Sequence, residues 1–192
     1  MPETDAAAIL TALASDAEEL AAVAAVTFPL ACPPELTIAD IEHFVADNLT
    51  ADHFRAFIAN PTHHVFKAVD PATSSIAGYA LVIDEEPTDP DVLAAITTRP
   101  LTMVSKMYVL PGFHGRHAST GLMSAALGHA AGVGSELVWL GVNQKNPRAQ
   151  RFYQKMGFEV VGHKTFQVND SVCNDFIYAR TPRDDTTRDD TT

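Results

Sequence analysis

The sequence is poor in basic residues relative to acidic ones. Lysine and arginine number 13 against 24 aspartates and glutamates, which sets the net charge at −11. Nucleic-acid binding depends on basic patches, so this balance argues against a nucleic-acid partner. The excess of acid is compatible with a cationic substrate such as an amine or polyamine, although acidic charge that only keeps the protein soluble is the simpler interpretation.

Cysteine is also scarce, and long apolar segments are missing. Cys32 and Cys173 are the two cysteines, too few for a disulfide framework, and we expect both to be unpaired thiols. No apolar run reaches the ~18 residues that span a bilayer. The first residues, M-P-E-T-D-A-A-A, lack the basic region of a signal peptide. These absences predict a cytoplasmic protein with no membrane partner.

The chain length and composition favour one folded domain with a tail. Hydrophobic residues make up 46% of the 192 residues, enough for a substantial core. We predict a single domain over residues 1–180. The tail, residues 181–192, repeats R-D-D-T-T in tandem and is otherwise polar, so we expect it to be disordered.

The first half of the chain is predicted to form one strand, three helices and a hairpin. A short apolar strand within 6–14 precedes Ser15, which with Glu18 forms the pattern of a capping box for a helix from Asp16 to about Thr27. Prolines exclude regular helix from 28 to 36. Thr37 and Thr50 are predicted to cap helices over 38–48 and 51–59. Strands follow over 64–70 and 76–84.

The second half alternates strands with helices. We predict a short helix over 91–97, strands over 101–110 and 136–142, and helices over 115–132 and 147–156. Two final strands, 158–168 and 171–180, surround Asn169-Asp170. The element order predicts an α/β (α+β) fold with a mixed sheet of about seven strands and helices on both faces. The last two strands could pair across a homodimer.

A strand, a glycine-containing turn and a helix follow one another between Ser105 and Gly132. A turn that opens a helix presents backbone N–H groups and the positive end of the helix dipole to one point. The segment is therefore suited to hold a phosphate group. A second helix begins farther along the chain at Asn146-Pro147, with asparagine as the cap and proline at the first helical position.

Two stretches of this region resemble the GNAT superfamily, the GCN5-related N-acetyltransferases. They are Y-V-L-P-G-F-H-G-R at 108–116 and V-W-L-G-V-N-Q-K-N-P-R-A-Q-R-F-Y-Q-K-M-G-F at 138–158. Together with G-H-K-T-F-Q-V at 162–168, the second is similar to bacterial polyamine acetyltransferases of the PaiA type. The resemblance implies a mostly antiparallel GNAT-type sheet and an acetyl-CoA co-substrate.

The resemblance also implies which residues hold acetyl-CoA. The pantetheine arm would lie along the strand edge at Met107, Tyr108 and Val109, and the pyrophosphate would lie at the turn that opens the central helix. The residues assigned to that turn are His114, Gly115, Arg116, His117, Ala118, Ser119 and Thr120. Asn146 and Tyr153 complete the expected cofactor contacts.

Acetyl transfer to an amine needs a proton donor and a proton acceptor. Tyr153 occupies the position at which the family commonly has a tyrosine that protonates the departing thiolate, although periodicity alone would make it a core aromatic. As the base that accepts the amine proton we favour Glu85, and Glu86 and Asp84 are the next candidates. All three lie at the end of a predicted strand. The resemblance does not determine this choice.

The predicted function is transfer of an acetyl group to a primary amine, polyamine-like or at a peptide N-terminus, by direct attack in a ternary complex. The family's turn usually carries glycines where His117 and Ser119 stand here. That departure supports the alternative of a non-catalytic GNAT-like module that binds a ligand or partner, and an acyltransferase for a longer acyl group or a different acceptor is a further alternative. His114 and His117 lack an evident third ligand, so we predict no metal site.

Overall fold

The computed structural model describes residues 6–113 and 117–183, which form one seven-stranded sheet flanked by helices. The strands lie in the order β1-β2-β3-β4-β5-β7-β6, and only the β4–β5 pair is parallel. Their bounds are β1 Ala8–Thr11, β2 His63–Val69, β3 Ile76–Ile83, β4 Leu101–Val109, β5 Leu137–Asn143, β6 Glu159–Val168 and β7 Ser171–Arg180. The predicted mixed, mostly antiparallel sheet is confirmed.

Six α-helices accompany the sheet in the described residues. They are α1 Ala17–Ala31, α2 Ile38–Asn48, α3 Ala51–Ala59, α4 Pro90–Ala95, α5 Ala118–Gly132 and α6 Pro147–Lys155. Thr37 caps α2 in a capping box with Asp40, and the Thr50 side chain caps α3. Both caps agree with the sequence, because a threonine before a helical apolar pattern is a strong local signal.

The central strand β3 shows how the helices cover both faces of the sheet. Tyr79 and Leu81 belong to a core cluster with α1 and α3, whereas Ala80 packs with α5. Successive strand residues point to opposite faces. Seven consecutive β3 residues, 76–82, are consequently buried, as expected for a strand covered on both sides.

The start of α1 differs from the prediction. Asp16, not Ser15, makes the capping interaction: its carboxylate accepts a hydrogen bond from the Leu13 N–H at 2.7 Å, and a 3-10 turn over Ala14–Asp16 leads into the helix. Asp16 takes the capping role because its side chain reaches back to the N–H group of Leu13.

The end of α1 also differs. The helix continues through Pro29 to Ala31, although proline was expected to exclude regular helix there. Pro29 lies in the last turn, where its missing N–H costs one hydrogen bond. Phe28 is buried and stacks on Phe44 of α2 with ring centroids 4.6 Å apart, and this packing holds the last turn in place.

Some predictions fall where the structure gives no description. His114, Gly115 and Arg116 of the predicted phosphate turn lie outside the described residues, as does most of the predicted disordered tail, residues 184–192. Within 6–113 and 117–183, no helix combines the length and apolar character needed to cross a membrane. Cys32 and Cys173 are free thiols.

Candidate active site

The sheet opens between β4 and β5. Their parallel pairing covers only Leu101–Met103 against Leu137–Trp139. Farther along, β4 stays paired with β3, and β5 stays paired with β7. Ser105 is an extra residue in the β4 register, because Leu81 pairs with Lys106 while Val82 pairs with Val104. Such a bulge bends the strand and re-aims its side chains, here beside the opening.

Two cavities that share lining residues lie at this opening. The inner cavity, about 270 Å³, lies between residues 103–108 of β4 and 139–143 of β5. The outer groove, about 580 Å³, runs along Met107–Val109 and past the first residues of α5 and α6. Tyr108, Asn146 and Tyr153 line both spaces. A ligand lying in the groove can therefore present one end to the inner cavity.

The outer groove collects most of the residues predicted to bind the cofactor. Those that line it are Met107, Tyr108, Val109, His117, Ser119, Thr120, Asn146 and Tyr153. Ala118 is buried and packs in a core cluster that includes Ala68 and Ala80. The groove passes the N-terminal ends of two helices, whose dipoles favour an anionic ligand. Cofactor contact by these residues remains a prediction.

His117 retains the backbone conformation of a glycine. Its φ is 60° and ψ is 6°, in the left-handed region, which glycine adopts without a steric cost and other residues enter rarely. Its carbonyl accepts the N–H of Gly121 at 2.8 Å, so it caps α5 through its backbone. Residue 117 therefore takes a conformation that favours glycine, and its exposed imidazole lines the outer groove.

Tyr153 lies on α6 at the junction of the two cavities. It is 9% exposed and packs edge-on against Phe152 and Phe158. Burial raises the pKa of the Tyr153 phenol well above its usual value. The side chain is thus a neutral O–H group at physiological pH, which is the form needed to give up a proton.

Asp175 is the buried carboxylate of the inner cavity. It lies in β7 between Asn143 of β5 and Lys164 of β6, and it is 8% exposed. Its Oδ1 atom has no hydrogen-bond partner among the described residues. Burial raises the pKa of the Asp175 carboxyl to about 6, and the Lys164 charge lowers it only in part. A carboxylate with this pKa can accept a proton near neutral pH.

The remaining polar groups of the inner cavity are cationic or neutral. Lys106 and Lys164 are the other charged residues among those that line it. Burial lowers the pKa of Lys106, whose ammonium lies 5.5 Å from the centre of the Phe57 ring. The buried indole N–H of Trp139 has no hydrogen-bond acceptor in the described part of the chain. It can therefore donate to an acceptor atom of a ligand.

The carboxylates predicted as bases lie elsewhere. Glu85 is exposed, accepts a hydrogen bond from Thr62 and lies 3.3 Å from the His63 ring nitrogen. Glu86 pairs with Arg99 at 2.5 Å, and Asp84 contacts two histidines. None of the three carboxylates is among the residues that line either cavity. They follow the end of β3, whereas the cavities open beside the later residues of β4.

Asp175 was missed, although the sequence carries a signal for it. In β7 the alternate residues Cys173, Asp175, Ile177 and Ala179 share one face and are all buried. An acidic residue in an otherwise apolar alternating face is unusual, since burying a charge is costly unless it is paired or has a function. The prediction of Glu85 relied instead on its position just after the end of a strand.

Comparison with known proteins agrees with this architecture. A family model described as the acetyltransferase (GNAT) family matches residues 14–158. Proteins described as uncharacterized N-acetyltransferases of Mycobacterium tuberculosis and Mycobacterium bovis are 42% identical over 166 residues, covering 86% of this chain and 97% of theirs.

Solved structures share the fold at low sequence identity. The PaiA N-acetyltransferase of Thermoplasma acidophilum, in complex with coenzyme A, has a TM-score of 0.71 at 17% identity, covering 92% of this chain and 99% of that one. The yncA protein of Salmonella typhimurium, with its cofactor acetyl-CoA, has a TM-score of 0.61 at 16% identity over 95% and 98% of the two chains. The PaiA-type subgroup remains a prediction, because identity at this level shows the fold alone.

The extent of the family match and the identity of the mycobacterial relatives confirm the predicted superfamily and the predicted enzyme class, an acyltransferase. This protein belongs to the acetyltransferase (GNAT) family.

Proposed function

We propose that this protein transfers an acetyl group from acetyl-CoA to the primary amine of a small molecule or a peptide N-terminus. The observation that carries the proposal is the split between β4 and β5. It joins an outer groove lined by two helix N-termini to an inner cavity that holds one buried carboxylate, Asp175, with Tyr153 at the junction. A donor and an acceptor can therefore meet beside a proton donor and a proton acceptor.

The outer groove suits acetyl-CoA as the co-substrate. The first residues of α5 offer N–H donors for the pyrophosphate, and the N-terminal ends of both α5 and α6 bring positive dipole ends to the groove. The edge of β4 at Met107–Val109 no longer pairs with β5, so it can receive the amide groups of the pantetheine arm as an added strand would. Structural neighbours solved with coenzyme A and acetyl-CoA give independent support.

Asp175 is proposed as the base, in place of Glu85. The amine must lose a proton before its nitrogen lone pair can attack the thioester carbonyl carbon. Asp175 lines the inner cavity, has one oxygen without a hydrogen-bond partner in the described part of the chain, and has a pKa of about 6. It can accept that proton directly or through one water molecule. Glu85 is exposed and already engaged by Thr62 and His63.

Tyr153 is proposed as the acid. When the new C–N bond forms and the C–S bond breaks, the departing sulfur needs a proton. The neutral phenol of Tyr153 lines both cavities, so it lies near the point where the thioester would sit. Direct transfer needs no cysteine nucleophile, and burial raises the pKa of the Cys32 thiol to about 11, which keeps that thiol protonated and weakly nucleophilic.

The charges of the inner cavity favour an acceptor with a single amine. Asp175 is the carboxylate among its lining residues, against two lysines, Lys106 and Lys164, of which Lys164 also pairs with Asp89 at 3.4 Å. Phe28, Phe44 and Trp139 supply apolar walls. A polyamine would bring further positive charge without a second carboxylate here to meet it. An amine with an apolar or anionic body, or a peptide N-terminus, fits better.

Calorimetric titration with acetyl-CoA is the first test. We expect saturable binding with one molecule per chain; no heat of binding at millimolar acetyl-CoA would overturn the proposal and favour a non-catalytic module. The second test is release of free coenzyme A with a panel of amines. We expect arylalkylamines, amino acids or peptides to give a higher kcat/KM than spermidine. A marked preference for spermidine would contradict the assignment of the acceptor.

A further inference from the structure

A second polar cluster lies away from both cavities. It joins His64 of β2, Asp84 just after β3, and His129 in the last turn of α5. One Asp84 oxygen, Oδ2, lies 2.6 Å from His129 Nε2 and 3.3 Å from His64 Nε2. The two imidazole rings are 3.9 Å apart at their centres. One potential ligand atom from each of the three residues lies within 4.8 Å of the others.

We propose that His64, Asp84 and His129 bind a divalent transition-metal ion of the zinc class. Two imidazole nitrogens and a carboxylate oxygen are donors that Zn²⁺, Co²⁺ and Ni²⁺ accept, whereas Mg²⁺ and Ca²⁺ prefer oxygen ligands. Ligand atoms around a tetrahedral zinc ion, with bonds of ~2.0–2.1 Å, lie roughly 3.3 Å apart. The contact of Asp84 with His64, at 3.3 Å, matches this separation, and the contact with His129, at 2.6 Å, would have to widen by about 0.7 Å to admit the ion.

The carboxylate of the cluster is held in a fixed orientation by a second layer of residues. Asp84 Oδ1 accepts a hydrogen bond from the Thr102 hydroxyl at 2.7 Å, and that hydroxyl lies 2.6 Å from Ser135 Oγ. Thr102 and Ser135 are both buried. Oδ1 is thus engaged on the protein side while Oδ2 faces the histidines. Partners of this kind orient metal ligands and raise metal affinity.

The cluster is accessible and leaves room for a further ligand. The side chains of His64, Asp84 and His129 are 34%, 22% and 15% exposed. An ion can enter from solvent, and a water molecule can complete the tetrahedron.

The site is remote from the acetyl-transfer site. His129 lies about 17 Å along α5 from the helix N-terminus, at a rise of ~1.5 Å per residue. None of the three residues is among those that line the inner cavity or the outer groove. The ion would connect the last turn of α5 to β2 and β3, so its role is to fasten the helix to the sheet. Acetyl transfer need not depend on it.

The test uses full-length protein with its affinity tag removed and with metals stripped by a chelator. Titration with Co²⁺ should give one equivalent of binding and the visible d–d absorption of a cobalt ion in a low-symmetry nitrogen and oxygen site. Zn²⁺ should displace the cobalt, and Mg²⁺ should not. With Zn²⁺ at a hundredfold excess over Kd, we expect the Tm to rise by about 5–10 °C.

Matched variants identify the ligands. Asp84→Asn and His129→Gln should each weaken Co²⁺ binding by at least about tenfold and remove most of the Tm rise. His43→Ala is the control, because His43 is exposed and pairs only with Asp47 of its own helix at 2.8 Å in the described structure. It should bind as the parent does. Two-dimensional NMR of the imidazole nitrogens reports the ligands in the parent protein even if a variant fails to fold.

Several results would overturn the proposal. Absence of a cobalt spectrum in the parent would show that the cluster is only a hydrogen-bonded contact. Equal loss of affinity in His43→Ala, or zinc-induced shifts confined to imidazoles other than His64 and His129, would place the ion elsewhere.

Discussion

At the scale of single residues, Tyr153 and Asp175 are the groups we propose for the two proton transfers that acetylation of an amine requires. Both line the inner cavity, and burial raises the pKa of both. The same physical cause serves opposite roles: it keeps the phenol protonated as a donor and brings the carboxyl into the range in which it can act as an acceptor.

Tyr153→Phe is predicted to lower kcat by about 10²–10⁴-fold, the usual contribution of a general acid, with acetyl-CoA affinity changed far less. Phenylalanine keeps the ring packing against Phe152 and Phe158. Steady-state kinetics and calorimetric titration on the same preparation check this. Equal turnover in the two proteins would remove Tyr153 from the mechanism.

Asp175→Asn is predicted to lower kcat/KM by about 10²–10³-fold above pH 7 and to abolish an acid limb near pH 6. In the parent, activity should fall as the pH drops through about 6, because the Asp175 pKa lies there and the protonated acid cannot accept a proton. A limb that belongs to the substrate amine should persist in both proteins. An unchanged limb near pH 6 in the variant would contradict the assignment.

Asp175→Asn should not destabilise the protein at pH 8. The folded-state pKa of Asp175, about 6, lies above the reference value of 3.8, so the folded state binds the proton more tightly than the unfolded state. Ionisation of Asp175 then opposes folding, and this cost grows as the pH rises from about 4 to 6. Neutral asparagine removes the cost. A Tm at pH 8 equal to or above that of the parent is the expected result.

At the scale of elements, the β3–β4 pair positions the edge along which the cofactor is proposed to lie. Gly78 in β3 allows a close approach: a Cβ atom there would lie 2.7 Å from the Tyr108 carbonyl oxygen and 2.8 Å from Val109 Cγ2. A backbone atom cannot move aside as the end of a flexible side chain can. Space at this point of β3 therefore determines where the Tyr108–Val109 backbone lies.

Gly78→Ala is predicted to lower the free energy of unfolding by about 1–3 kcal/mol, as overpacking does, and to weaken acetyl-CoA binding by moving the β4 edge. Gly128→Ala is the matched control, because a Cβ at this α5 position meets nothing within 4 Å. Alanine should stabilise the helix by about 0.5–1 kcal/mol. Urea unfolding and calorimetry measure both effects, and a Gly78→Ala protein as stable as the parent would refute the prediction.

At the scale of the whole molecule, net charge controls how the protein behaves in solution. The chain carries −11 at pH 7 and its isoelectric point is about 5.0. Repulsion between molecules therefore disappears near pH 5. We predict a solubility minimum there, seen by light scattering as a rise in particle size between about pH 4.5 and 5.5 that reverses at pH 7. A particle size independent of pH would show that the tail or local patches control association instead.

A homodimer through the last two strands also belongs to this scale and remains a prediction. Strand β6 is the edge of the sheet, and Val160, Val161 and Phe166 on it are exposed. Sedimentation velocity measurements would distinguish a dimer from a monomer.

Local sequence signals predicted much of the fold and one part of the candidate site. Thr37 and Thr50 predicted the starts of α2 and α3, because a capping side chain bonds to the backbone within three residues. Asn146-Pro147 predicted the start of α6 for the same reason. The stretches around Tyr108 and Tyr153 indicated the family, and both tyrosines line the two cavities.

Features that depend on contacts distant in sequence could not be predicted in this way. Asp175 owes its raised pKa to burial between β5 and β6, and the cluster of His64, Asp84 and His129 draws on three separate elements. The sequence by itself determined the elements, their order and the family, because caps, alternation and motifs are short-range patterns. Only the tertiary structure decided which carboxylate lines the inner cavity, because burial and proximity arise when separate elements pack together.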